Sequence, residues 1–185
     1  MAAASDDGPL AASSDTTSDS SSDISGIALD LRAPAWAAAL PDIETVCRRA
    51  VGAARMAGAV PAGEISLVLA DDTFIRTLNR DHRGKDRATD VLSFPLIEDH
   101  APGPQTPALL GDVVVAYETS ARDAETAGVT LADHLAHLII HGVLHLAGHD
   151  HEDDAEAEAM EGLERAALAT LGIADPYAVP ARAAE

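Results

Sequence analysis

Six of the chain's eight histidines fall between residues 134 and 151, in the run Asp133-His-Leu-Ala-His-Leu-Ile-Ile-His-Gly-Val-Leu-His-Leu-Ala-Gly-His-Asp-His151. His141 and His145 are four residues apart. On a helix both rings leave the same face, one above the other, and two imidazoles so placed can share one metal ion. Gly148 is suited to ending that helix in a left-handed turn, after which the chain doubles back. A third nitrogen then comes from His149 or His151, and spacing alone leaves both open. Three neutral nitrogens leave a fourth position for water, the layout of a catalytic metal site rather than a closed structural one. Zinc is the expected ion, because a single cysteine, Cys47, rules out a thiolate cage and leaves histidines and carboxylates as ligands.

The other histidines are less informative. His137 extends the stripe by one turn, but one ion reaches only two neighbours of such a stripe. The pair nearest the glycine is the better choice, so His137 is expected in the core or in support of the site. His134 has no evident role. Without a metal, several clustered imidazoles would each need another partner once buried. The residue after His141 is Gly142, so the glutamate base of the His-Glu-x-x-His protease motif is missing. Gly142 is expected to let another backbone or the substrate approach the metal.

The elements that must position this run are readable from periodicity. Residues 27–31, 65–69, 91–94 and 113–115 read as strands. Pro41 to Met56 reads as a helix with Gly58 just past its end, and Asp71 or Asp72 caps a short helix carrying Phe74, Ile75 and Leu78. Residues 97–110, with three prolines and a glycine, read as a loop. Tyr117 to Ala127 reads as helix, ending at Gly128. Thr130 to Asp133 is a capping box that starts the histidine helix, about 25 Å long at 1.5 Å per residue. A last helix spans Asp154 to Leu171. The predicted fold class is α+β: a single small mixed β-sheet of about four strands covered by helices, with the histidine-bearing helix at the metal site. Strand order is not predicted.

The 185 residues suit one domain with a substantial core, built mostly of Ala, Leu and Val since only 3 % of the chain is aromatic. Residues 1–25 read as a disordered, acidic, Ser-rich tail, 26–178 as the metal-dependent hydrolase domain, and 179–185 as a C-terminal tail. No disulfide can form within the chain. There is no apolar run of membrane-span length and no signal-peptide pattern, so a cytoplasmic protein is expected. The net charge of −19 argues against general binding to polyanions. Yet five of the 12 Lys and Arg residues, Arg76, Arg80, Arg83, Lys85 and Arg87, lie within twelve positions, opposed there only by Asp81 and Asp86. Such a patch on an acidic body could hold a phosphate at one chosen place.

These residues resemble a known family. His141-Gly-Val-Leu-His145-Leu-Ala-Gly148-His-Asp-His151 is similar to the signature of the YbeY family of rRNA-maturation endoribonucleases. Leu78-Asn79, Arg83-Gly84-Lys85-Asp86 and Thr89-Asp90-Val91-Leu92-Ser93-Phe94-Pro95 form a second matching block, and Gly111-Asp112-Val113-Val114 a third. The resemblance spans about residues 27 to 178. It implies one zinc ion held by His141, His145 and His151, with Arg83 and His141 as catalytic residues. It also implies single-stranded RNA as substrate, and rRNA and the ribosomal small subunit as partners. His149 stands where the family often has tyrosine. No general base is assigned; Asp150 either serves there or orients a histidine. The competing readings are a zinc hydrolase of peptide or small-molecule bonds, and a non-catalytic ribosome-assembly factor with a structural metal.

Overall fold

The computed structural model describes residues 26–58, 60–96, 109–151 and 153–178. The segments read as tails, 1–25 and 179–185, and most of the loop read over 97–110 lie outside the described residues. In chain order the elements are β1 (Ile27–Leu31), α1 (Pro34–Ala39), α2 (Ile43–Ala57), β2 (Glu64–Ala70), α3 (Asp72–Arg83), β3 (Val91–Pro95), β4 (Leu109–Ala116), α4 (Tyr117–Ala127), α5 (Leu131–Leu146) and α6 (Asp154–Leu171). The predicted α+β class holds. Among the described residues the four strands form one mixed sheet in the order β1-β2-β4-β3. β1, β2 and β4 run parallel, and β3 lies antiparallel on the edge beside β4.

The sheet buries both faces, and the alternation along β4 shows how. Val113 and Val115 face the larger core, with Leu67 and Leu69 of β2 and the apolar sides of α2, α5 and α6. Val114 and Ala116 face a smaller core with Ile75 of α3 and Leu92 of β3. α2 supplies Ile43, Cys47, Ala50, Val51 and Ala54 at helical spacing. α5 is the central helix. Leu135, Ile139, Ile140 and Leu144 are fully buried, while His137, His141 and His145 occupy its half-buried stripe. Trp36 of α1, also fully buried, donates its indole N–H to the Ala70 carbonyl at 3.1 Å and meets Tyr117 edge-on, tying the end of β2 to the start of α4.

Local chemistry sets the helix ends. Asp71, not Asp72, caps α3, accepting from the Phe74 N–H at 2.8 Å. Asp72 instead accepts from Thr119, and Glu118 accepts from the Asp72 N–H, so the starts of α3 and α4 are stapled together. The Thr130 side chain accepts from the Asp133 N–H at the start of α5, as the capping box predicts. Two expectations need correction, and one element was not expected. α2 begins at Ile43, leaving Pro41 outside it. The six-residue α1 is too short to carry a readable period. β4 begins at Leu109, inside the predicted loop, because its first residues are held by ladder pairing to β2 rather than by a run of buried side chains.

Gly142 sits where α5 crosses the sheet. A Cβ there would lie 2.6 Å from Val113 Cγ1 and 3.0 Å from both Val113 Cγ2 and Ser93 Oγ. The close approach that Gly142 permits is therefore that of β3 and β4, not of substrate. Gly142→Ala should lower stability by about 1–2 kcal/mol net, overpacking outweighing the better helix propensity of alanine. Urea unfolding with an unchanged slope is the measurement.

Candidate metal centre

The turn after α5 gathers the third histidine. Gly148 has φ +88°, in the left-handed region. Its N–H bonds to the His145 carbonyl, and the His149 N–H reaches the Leu144 carbonyl at 3.1 Å, the six-to-one bond of a Schellman ending. The chain then swings back. The His151 ring centroid lies 5.6 Å from that of His141 and 5.0 Å from that of His145. One nitrogen from each of His141, His145 and His151 lies within 4.8 Å of the others.

His149 is used differently. Its Nε2 donates to the Gly58 carbonyl at the end of α2, at 3.1 Å, and its own carbonyl accepts from His145 Nδ1 at 2.9 Å. Of the two candidates that spacing leaves open for the third position, only His151 has its ring against the pair. Asp150 accepts from the His151 N–H at 2.8 Å and stays 3.9 Å from His145, so it shapes the turn while the His149 carbonyl orients His145.

Behind His141 stands Glu164 of α6, a residue the sequence reading missed. Its side chain is 1 % exposed. Oε1 accepts from His141 Nδ1 at 2.7 Å, and Oε2 accepts from His137 at 3.0 Å and from the Tyr177 hydroxyl. Burial alone would push this carboxyl up, but the hydrogen bonds from His137, His141 and Tyr177 outweigh it and hold it at about 2. The signal in the sequence is an acid on the apolar stripe of α6 with Met160, Ala167 and Leu168. The Tyr177 hydroxyl is raised above its ordinary value by burial and then by Glu164.

These bonds set the tautomers. His141 donates from Nδ1 to a carboxylate and His145 donates from Nδ1 to a carbonyl, so each neutral ring keeps its lone pair on Nε2. The two Nε2 atoms face one another at 3.1 Å. His145 is held below the usual histidine value, chiefly by burial and then by His141 and His151, which keeps it in the ligand form. Cys47 takes no part: it is buried in the core, and burial pushes its thiol up to about 12.

An open cleft of about 570 Å³ runs from the three histidines across the edge strand β3, past Val91, Ser93 and Pro95, to Arg83 at the end of α3. α3 packs on the opposite face of the sheet from α5, so the edge strand is where Arg83 and the histidines meet. The two acids of the basic segment are already engaged. Asp86 takes two hydrogen bonds from Arg76, at 2.7 and 2.9 Å, and Asp81 takes one from Arg80 at 2.8 Å. Arg83, Lys85 and Arg87 have no carboxylate partner among the described residues. The local excess of positive charge thus stands at Arg83 and just beyond it, rather than at Arg76 or Arg80.

Glu164 also ties stability to pH. A carboxyl at about 2 when folded and near 4.5 when unfolded favours the folded state, fully so above about 4.5. That contribution is lost as pH falls from about 4.5 through about 2. In metal-free protein, Glu164→Gln should remove on the order of 3 kcal/mol of the acid-dependent loss, read from unfolding free energies across that window.

Comparison with known proteins agrees with the motif blocks. The family model "Endoribonuclease YbeY" matches residues 36–172. The protein named Endoribonuclease YbeY from Paramagnetospirillum magneticum is 54 % identical over 155 residues, covering 82 % of this chain and 94 % of that protein. Its namesake from Rhodospirillum rubrum is 47 % identical over 163 residues, covering 82 % and 81 %. The solution structure of TM1509 from Thermotoga maritima aligns over 84 % of this chain and 98 % of that one, with a TM-score of 0.48 and 23 % identity. With a family model covering most of the described residues and relatives near half identical along more than four fifths of their length, the chain belongs to the endoribonuclease YbeY family.

Proposed function

We propose that this protein is a zinc-dependent endoribonuclease specific for single-stranded RNA. In this reading it acts in the cytoplasm on rRNA of the small ribosomal subunit, in maturation and quality control. Family membership supports the RNA-cleaving activity. The observation that carries the metal is the gathering of one nitrogen each from His141, His145 and His151 within 4.8 Å, with the Nε2 atoms of His141 and His145 3.1 Å apart. With both Nδ1 atoms donating, the two Nε2 atoms of the neutral rings are acceptors, and a divalent cation would satisfy both. Imidazole nitrogens 2.0–2.1 Å from a tetrahedral zinc stand about 3.3 Å apart, so the pair is already near ligand spacing. His151 supplies a third nitrogen from the exposed side and leaves the fourth position open to the cleft.

A divalent ion held there would supply Lewis acidity, activating water at neutral pH and polarising a phosphoryl oxygen. The chain's own residues do the rest. His141 and His145 present fixed lone pairs because Glu164 and the His149 carbonyl hold their other nitrogens. Arg83, across the cleft and without a carboxylate partner among the described residues, is the group to bind a non-bridging oxygen of the scissile phosphodiester and to stabilise the charge that grows on it. Lys85 and Arg87 extend that attraction along the strand, while the acidic remainder of the surface repels RNA elsewhere. Gly142, packed against Val113 and Ser93, occupies the place of the glutamate on which peptide hydrolysis by a His-Glu-x-x-His site relies.

Arg83→Glu should lower RNA cleavage by at least about 100- to 1000-fold without releasing metal; metal loss in this variant would mean that Arg83 is structural. His141→Ala should lose both metal and activity. Cleavage of a defined single-stranded RNA, and not of casein, should disappear with chelator and return with zinc. Casein hydrolysis, or RNA cleavage indifferent to chelator, would sink the reading.

A further inference from the structure

Glu164 is an expensive residue to place where it is. A carboxylate so fully buried among Met160, Ala167 and Leu168 would be destabilising without strong partners, and an apolar side chain would suit that stripe of α6 better. Among the described residues its hydrogen-bond partners include neither a lysine nor an arginine. They are three donors drawn from two segments: His141 and His137 of α5, and Tyr177 beyond the end of α6. Both carboxylate oxygens are used. Oε1 serves His141 alone, at 2.7 Å. Oε2 is held by His137 and Tyr177, whose rings also meet edge-on with centroids 5.8 Å apart. The Arg165 guanidinium lies over the outer part of this group, 5.4 Å from the Tyr177 ring centre. The arrangement clamps one end of a carboxylate so that its other end meets one nitrogen of one ring. That ring's opposite nitrogen is the one aimed at His145.

We infer that Glu164 is a positioning residue for the metal centre: clamped by His137 and Tyr177, it fixes the tautomer and orientation of His141 and strengthens Nε2 as a donor to a divalent cation. The inference rests on the histidine triad being a metal site. A carboxylate accepting from the far N–H of a ligand imidazole raises its basicity and restricts its rotation, and removing such a partner typically weakens metal binding 10- to 100-fold. Among the described residues, His145 has only a carbonyl hydrogen-bonded in the same role and the His151 ring shows no such partner. The effect is therefore concentrated on one ligand. His137, the member of the stripe that no single ion can reach together with the other two, acquires a purpose as half of the clamp.

The test uses the full chain, stripped of metal and titrated with cobalt, whose visible absorption reports coordination. Affinity is measured by competition with a chelator. Glu164→Gln keeps the shape and removes the charge; it should weaken cobalt binding 10- to 100-fold and alter the absorption bands. Glu164→Asp should recover part of the loss, and Tyr177→Phe, which loosens the clamp only, should weaken binding less. Leu168→Ala, a cavity in the same helix, should lower stability and leave affinity unchanged. Glu164→Gln binding within about twofold of the parent, with the same spectrum, overturns the inference, as does an equal loss in Leu168→Ala. If Glu164→Gln does not fold, Tyr177→Phe carries the test, and unchanged affinity there overturns it. If the parent chain itself binds no cobalt, the metal reading fails first and the inference falls with it.

Discussion

Helix α5 lies hard against the sheet at Gly142, with no room for even a methyl group between its backbone and Val113. The rest of the site depends on that contact. Because one side of α5 is locked into the core by Leu135, Ile139, Ile140 and Leu144, the opposite stripe cannot rotate. His141 and His145 therefore project from a rigid support. Their rings are steadied from behind by a buried carboxylate and a backbone carbonyl. Such a candidate centre is preorganised on its two helical histidines, while the third arrives on a turn and is exposed.

This division has a functional logic. The helical pair carries the fixed lone pairs. His151, on the solvent side, borders the cleft through which a substrate strand would enter. Across the cleft, Arg83 comes from a helix on the other face of the sheet, and the antiparallel edge strand β3 is short enough for both faces to meet around it. The acidic surface and the small basic patch then work together. In the proposed reading, the patch would attract a phosphate, and the surrounding charge would discourage RNA from binding where no chemistry can follow.

Much of this was legible beforehand. The i, i+4 histidines, Gly148 and the capping box at Thr130 specify local geometry through steps of a few residues, and the structure follows them. The bounds predicted for α4 and α6 match as well, because each helix ends at a glycine in the left-handed region, Gly128 and Gly172. What escaped was set by contacts between distant segments. The start of β4 depends on pairing with β2, more than forty residues earlier. α1 is too short to show a period, and Trp36 is held by a carbonyl at Ala70.

The choice among the histidines shows the same boundary. By itself the sequence determined that His141 and His145 share a helix face, that the chain turns back at Gly148, and that a positive segment surrounds Arg83. These follow from backbone periodicity, glycine conformation and composition. Only the tertiary structure sent the His149 ring to Gly58 and left His151 beside the pair, because the end of α2 lies there to accept a hydrogen bond. Only the packing of α6 on α5 brought Glu164 behind His141, across 23 residues of sequence. A metal site's ligands can be encoded within one turn and one loop; the groups that orient them come from whichever element the core presses against that helix.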